Sequence, residues 1–360
     1  MLATYVSGHG FGHCVRTATI LRELHALDPA LPIAVVTAAP EKVFRDAVGP
    51  GLVFRHEAAD VGLVQQGALV IDTAATADAC EAFARDLPAR VEREAAWLRD
   101  TKARLVLGDV PPLAFLAAAR AGIPAIAATN FSWDWIYRHL ARHEPRLAAP
   151  ADAARAAYAS ARLLLQLPFA GDLSAFPRRQ PIPLVARRPP VTRDEARRRL
   201  GLGPEPAALL SFGGLGLSGL DFQVLEGIRG VQFLSEPTGS VAPPNLRVLS
   251  ASDLAAHGLD YLGAVAAADV VITKPGYGIV SDAIACRTRM VYTERGDFPE
   301  YPILVREMVR WLPAEYVSNA DLLAGRVKPA LEAVLARPFP EPPPMDGATV
   351  AARILIDEAR

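Results

Sequence analysis

Two histidines and three glycines share seven residues near the N-terminus, Ser7-Gly8-His9-Gly10-Phe11-Gly12-His13. Imidazole is the side chain that exchanges protons near neutral pH. His13 is therefore a candidate general base, with His9 as its rival. Such a base needs a carboxylate on its Nδ1 proton, which fixes the tautomer and leaves Nε2 to draw a proton from a hydroxyl. Asp109, in Gly108-Asp109-Val110-Pro111-Pro112, is the candidate for that role. Gly10 and Gly12 would let bare backbone approach a ligand at a helix start. A tight connection would explain the glycines, and a satisfied helix cap would explain the polar pair. Neither has any use for two histidines.

A second group of small residues lies in the other half, in Lys274-Pro275-Gly276-Tyr277-Gly278. The pattern predicts a strand ending at Thr273 and a helix opening at about Gly278. The helix-start N–H groups of Ile279 and Val280 would then face a diphosphate, favoured by the positive end of the helix dipole. Asp282, one turn in, is suited to accept hydrogen bonds from ribose hydroxyls, or else simply to stabilise a helix N-terminus. Gly213 and Gly214 follow a strand directly, where backbone can come close to a phosphate. The loop Thr129-Asn130-Phe131-Ser132-Trp133 offers Asn130, Ser132 and Trp133 to the acceptor side of a cleft. The P-loop pattern GxxxxGK[ST] is absent from these segments.

The elements that must position these residues alternate between short apolar runs and amphipathic stretches, which predicts parallel sheets covered by helices. Strands are expected near residues 2–6, 33–37, 52–56, 104–107, 125–128 and 163–167, then 207–212, 231–235, 246–248, 270–272 and 290–292. Helices are expected near 12–27, 40–47, 77–100, 111–121, 151–161, 192–200, 260–267, 278–285 and 347–358. Prolines crowd residues 176–190, which reads as an extended linker. The economical architecture is α/β, with two Rossmann-like domains, 1–175 and 191–340, facing each other across a cleft. The last helix, 347–358, could pack back on the first domain. Ligands of such sheets lie beyond the carboxyl ends of the strands.

Composition narrows the function class. The chain has 360 residues, of which 51% are hydrophobic and 21% charged, with a net charge of −1. That balance gives no reason to expect a nucleic-acid partner. The cysteines, Cys14, Cys80 and Cys286, are odd in number and widely spaced, which fits a reducing compartment better than a disulfide framework. No secretion signal and no apolar run of membrane-spanning length is present, so a cytoplasmic protein is expected, with peripheral membrane contact left open.

The segments SGHGFGH, VVTAAPEKVF, DVGLVQQGALVID, GDVPPLA, TNFSWDWIY, PLVARR, SFGG and KPGYGIVSDAIA occur in this order. Together they resemble the N-terminal domain of plant-type L-arabinokinases, a region similar to GT-B glycosyltransferases and distantly to the peptidoglycan N-acetylglucosaminyltransferase. The sugar-kinase domain that follows in arabinokinases is not in this sequence. The resemblance implies that Gly276, Gly278, Ile279 and Val280 hold the donor diphosphate and Asp282 the ribose, with Gly213 and Gly214 closing over the phosphates. It further implies that Glu300 and Asp297 contact the donor sugar, and that His13 with Asp109 is the base of an inverting enzyme. Lys274, counted with the nucleotide-sugar-binding residues, stands eight residues before the ribose acid, where retaining members commonly carry a carboxylate. The expectation is an inverting, metal-independent glycosyltransferase with a UDP-sugar as co-substrate, no cofactor, and an unknown acceptor. A nucleotide-sugar hydrolase and a non-catalytic nucleotide-sugar-binding module are the alternatives.

Overall fold

A computed structural model describes residues 1–66, 70–212, 220–237 and 241–360. Its strands are β1 (Leu2–Val6), β2 (Ile33–Thr37), β3 (Val53–His56), β4 (Gln65–Gln66), β5 (Val70–Ile71), β6 (Leu105–Asp109), β7 (Ala125–Thr129), β8 (Leu163–Gln166) and β9 (Arg179–Pro181) in the first half. The second half contributes β10 (Ala207–Ser211), β11 (Gln232–Ser235), β12 (Leu246–Val248), β13 (Val270–Thr273), β14 (Arg289–Tyr292) and β15 (Ala314–Tyr316). The first sheet runs β3-β2-β1-β6-β7-β8-β9 and the second β12-β11-β10-β13-β14-β15, with every strand pair parallel; β4 and β5 form a small antiparallel pair. Central strands such as β1, β2, β6 and β7 are buried along their whole length, as their unbroken apolar runs require when helices cover both faces.

Each sheet reverses its winding direction once. In the first sheet the reversal lies between β1 and β6, where Val6 sits beside Asp109 and the Ser7 amide donates to the Asp109 carbonyl at 3.2 Å. In the second it lies between β10 and β13, where Ser211 sits beside Thr273. The carboxyl ends at such a reversal leave a crevice, the usual ligand position in open α/β sheets. The histidine turn and the Lys274 turn therefore each stand at the switch point of their own sheet.

The proline-rich stretch 176–190 is not wholly a free linker. Residues 179–181 form β9 on the edge of the first sheet, and Val185 bridges to Asp346. Helix Gly347–Ala359 then lies on helix Phe11–Leu27, where Thr349 Oγ1 donates to Glu23 Oε2 at 2.9 Å. One buried cluster runs from Leu2, Ile20 and Leu105 through Leu184 and Tyr277 to Val271 and Met290, so the two domains share core. The three cysteines are buried and unpaired. Among the described residues no helix is long and apolar enough to cross a membrane.

Candidate active site

Helix Phe11–Leu27 begins where the sequence can bend sharply enough to start it. Gly10 has φ +84°, a conformation that side chains resist, and its amide folds back on the Gly8 carbonyl at 3.0 Å. His13 is thereby held in the first helical turn, its side chain 8% exposed. Its Nδ1 lies 3.0 Å from Asp109 Oδ1, at the adjacent strand end.

Arg16, one turn further on the same helix face, completes this arrangement. Its Nε donates to Asp109 Oδ2 at 2.8 Å, its Nη2 to Asp109 Oδ1 at 2.5 Å and to Thr129 Oγ1 at 3.1 Å, and its Nη1 to Asn130 Oδ1 at 2.6 Å. Thr17 Oγ1 adds a further donor to Asp109 Oδ2 at 2.8 Å. Arg16 Nη2 also approaches His13 Nδ1 at 3.0 Å, but its two hydrogens are already engaged by Asp109 and Thr129. The proton between His13 and Asp109 therefore belongs to the imidazole Nδ1, which leaves Nε2 as the free acceptor. Burial alone would raise the Asp109 carboxyl, but the Arg16 guanidinium and the His13 ring overrule it and hold it well below the usual carboxylate range.

The backbone after Asp109 is strained. Val110, a β-branched residue, has φ +81° and is buried, its carbonyl held by the Tyr158 hydroxyl at 2.7 Å. Such a conformation costs on the order of 1–3 kcal/mol and persists only where the surroundings impose it.

His9 lies in a different setting. Its Nδ1 accepts from the Leu63 amide at 3.4 Å, its own amide donates to Ser7 Oγ at 3.2 Å, and Trp133 meets its ring edge-on with centroids 5.6 Å apart. Burial, the neighbouring His13 ring and the cations Arg295 and Lys274 lower it to about 3, so it is neutral. A ring that already accepts at Nδ1 carries its proton on Nε2. His9 is thus geometrically a donor rather than a second base.

Across the cleft, helix Tyr277–Cys286 begins one residue earlier than the sequence pattern suggests. Gly276 is its cap, and the Val280 amide closes the first turn on the Gly276 carbonyl at 3.0 Å. Val280 N–H is therefore unavailable to a phosphate. The uncommitted helix-start amides are those of Tyr277, Gly278 and Ile279. A Cβ built on Gly278 would lie 3.2 Å from the Gly12 Cα, and one built on Gly12 would lie 3.6 Å from the Gly278 nitrogen. The two helix starts abut backbone to backbone. Burial and neighbouring Arg295 lower the Lys274 ammonium to about 8.

Several residues expected to touch ligand are committed within the protein. Asn130, Ser132 and Trp133 are completely buried. Asn130 Nδ2 donates to Glu300 Oε1 at 2.6 Å, Ser132 bonds Asp134, and Trp133 Nε1 donates to Asp60 Oδ2 at 2.7 Å while stacking on Tyr137. They form the floor behind the histidines. Glu300 is 2% exposed and takes Asn130 on one oxygen and Arg295 on the other, at 2.6 Å each. Asp297 turns to the first domain, with His139 Nε2 at 2.7 Å and His143 Nε2 at 3.2 Å. Hydrogen bonding from His139, and the charges of that ring and Arg142, hold Asp297 low despite some burial. Segment 295–300 is thus a clasp between domains, completed by Phe298 edge-on to Phe131 with centroids 6.1 Å apart. Asp282 is gripped by Arg187, whose Nε and Nη2 donate at 3.1 and 2.5 Å; each oxygen keeps one further lone pair. Gly213 and Gly214 lie outside the described residues.

Arg16, Arg295, Asp60 and Tyr277 join the site in addition to the residues expected from the sequence. Arg16 alone carried a signal, three residues beyond His13 on the same helix face. The others reach the site through tertiary packing, as when Tyr277 places its ring under Arg16 at 5.1 Å. Among the described residues no three His, Cys, Asp or Glu side chains come together to hold a metal ion.

Over its whole length the chain is 33% identical to L-arabinokinase from Arabidopsis thaliana, and it spans 34% of that protein. No family model matches it. A glycosyltransferase of kitacinnamycin superposes over 100% of this chain and 94% of its own with a TM-score of 0.63 at 17% identity. A UDP-glucosyltransferase from Polygonum tinctorium gives 0.60 at 12% identity over 99% and 98%, and MurG from Acinetobacter baumannii gives 0.54 at 13% over 99% of both chains. The fold is that of the GT-B glycosyltransferases, and the chain is a homologue of about one third of L-arabinokinase.

Proposed function

We propose that the protein is an inverting glycosyltransferase that takes a UDP-sugar and transfers its sugar to a hydroxyl acceptor without a metal ion. The observation that carries this reading is the His13–Asp109 pair at one switch point, set against an uncommitted helix N-terminus at the other. In this reading His13 Nε2 removes the acceptor proton as the acceptor oxygen attacks the anomeric carbon. Asp109 holds the ring in the required tautomer and stabilises the imidazolium. The departing diphosphate meets the amides of Tyr277, Gly278 and Ile279, together with the charge of Lys274. Positive ends of dipoles and a nearby ammonium are the means by which charge developing on a leaving group is stabilised. Asp282, through its remaining lone pairs, is assigned to the ribose, and Gly213 and Gly214 to the phosphates. Glu300 and Asp297 act as the domain clasp behind the donor rather than as direct sugar contacts.

The test is incubation with a panel of nucleotide sugars, measuring free nucleoside diphosphate with and without a cell extract as acceptor source, in EDTA and in magnesium. Release that depends on extract and persists in EDTA is expected. Release without any acceptor supports a hydrolase, and binding without release supports a non-catalytic module. Activity that needs the metal overturns the metal-free assignment.

A further inference from the structure

The two histidines of the N-terminal turn are held in opposite hydrogen-bonding states. His13 offers a bare Nε2, because Asp109 takes its Nδ1 proton. His9 offers Nε2–H, because Leu63 N–H occupies its Nδ1 at 3.4 Å. The His9 ring is packed from two sides. A Cβ on Gly62 would stand 2.8 Å from His9 Cβ, Gly62 itself has φ +68°, and Trp133 closes the other side. Trp133 is in turn fixed by Asp60 and by its stack on Tyr137. No group among the described residues takes His9 Nε2, and that atom is not among the sealed, unpartnered ones. The titratable groups that act on the ring are His13 and the cations Arg295 and Lys274. An N–H donor in positive company, without a partner among the described residues, calls for an anion.

We propose that His9 is an Nε2–H donor to a β-phosphate oxygen of the donor nucleotide sugar. The inference rests on the glycosyltransferase reading and assigns His9 a part in it that a base could not fill. As the acceptor oxygen bonds to the anomeric carbon, the bond from that carbon to the β-phosphate oxygen breaks and its electron pair stays with the phosphate. His13 receives the acceptor proton. His9 gives up none; its hydrogen bond strengthens as charge grows on the departing oxygen. A protonated imidazole at this place would be repelled by Arg295 and Lys274, whereas a neutral one adds a donor without adding charge.

Titration calorimetry with UDP and with UMP, on the wild type, His9→Ala and His9→Gln, tests this without knowledge of the acceptor. Hydrogen bonds to charged groups set the scale. His9→Ala should weaken UDP roughly 10- to 100-fold and leave UMP, which lacks the β-phosphate, within about twofold. His9→Gln, whose amide N–H₂ stands near the original Nε2, should recover most of the loss. Thermal melts of both variants establish that they fold. Unchanged UDP affinity in His9→Ala, equal losses for UDP and UMP, or a His9→Gln variant no better than His9→Ala each overturn the assignment to His9. A wild type that binds no nucleoside diphosphate overturns the glycosyltransferase reading with it.

Discussion

The two helix starts that meet at Gly12 and Gly278 are built on different principles. The first is side-chain chemistry: His13, Arg16 and Thr17 all face one carboxylate, and nearly every polar atom in the network has a named partner. The second is backbone chemistry: three amides left free by the helix geometry, on residues whose side chains are small or turned into the core. The first can hold and move a proton, whereas the second can only offer positive charge. The glycosyl transfer proposed above needs both, on opposite sides of one bond. The difference implies that damage to the first side should appear in turnover and damage to the second in nucleotide affinity.

The strongest way to break this comparison is His13→Ala. General-base catalysis is typically worth about 10²–10⁴-fold, and turnover should fall by that order while UDP affinity stays nearly unchanged. Asp109→Asn should give a smaller loss through the wrong tautomer. Turnover and UDP titration measured on the same preparations decide it, and a parallel loss of affinity would erase the division of labour. Arg16→Met comes next. Breaking a buried pair strands the Asp109 carboxylate and typically costs about 3–5 kcal/mol, readable by denaturant unfolding. A loss under about 1 kcal/mol would show that His13 and Thr17 satisfy Asp109 unaided.

On the second side, Gly278→Val forces a branched side chain against the Gly12 backbone, which cannot swing aside as a side-chain end could. Overpacking of this kind costs about 1–3 kcal/mol, and UDP affinity is expected to drop as the helix starts part. Unaltered affinity would mean that the contact is not maintained in solution. The last effect is a slope, and it is small near neutral pH. With His9 lowered to about 3 in the fold against an ordinary 6.5, the unfolded chain binds a proton below pH 6.5 that the folded one refuses. Stability therefore falls as pH drops from 6.5 toward 3, by at most about 1.4 kcal/mol per unit from this group. His9→Gln should lack that contribution, and identical pH–stability curves for the two proteins would contradict the neutral ring.

Much of this arrangement was legible in the sequence, and what was not has common causes. Unbroken apolar runs and glycine turns mark β1, β6, β10 and β13 and the loops after them, because a doubly covered parallel strand needs such a run. Short edge strands such as β9 and β15 have no such signature; β9 lies within a proline-rich stretch and joins the sheet by only three residues. His13 and Asp109 could be paired once their strands were taken as neighbours. The fate of Asn130, Glu300 and Asp297 could not be read, since their partners lie 158 and 170 residues away and only the packing of the domains joins them. Helix Tyr277–Cys286 starts one residue before the expected Gly278, because Tyr277 stands between two glycines in a segment that reads as turn. That single residue decides which amides are free.

The contact between Gly12 and Gly278 brings two like ends of helix dipoles head to head, each carrying roughly half a positive charge. That juxtaposition is self-repelling, and an anion seated beside both helix ends would relieve it. A nucleotide sugar, if it is that anion as proposed above, would serve as an ionic rivet between the two helix ends. Added salt, by screening both the repulsion and the rivet, should then narrow the difference in stability between the protein with and without nucleotide.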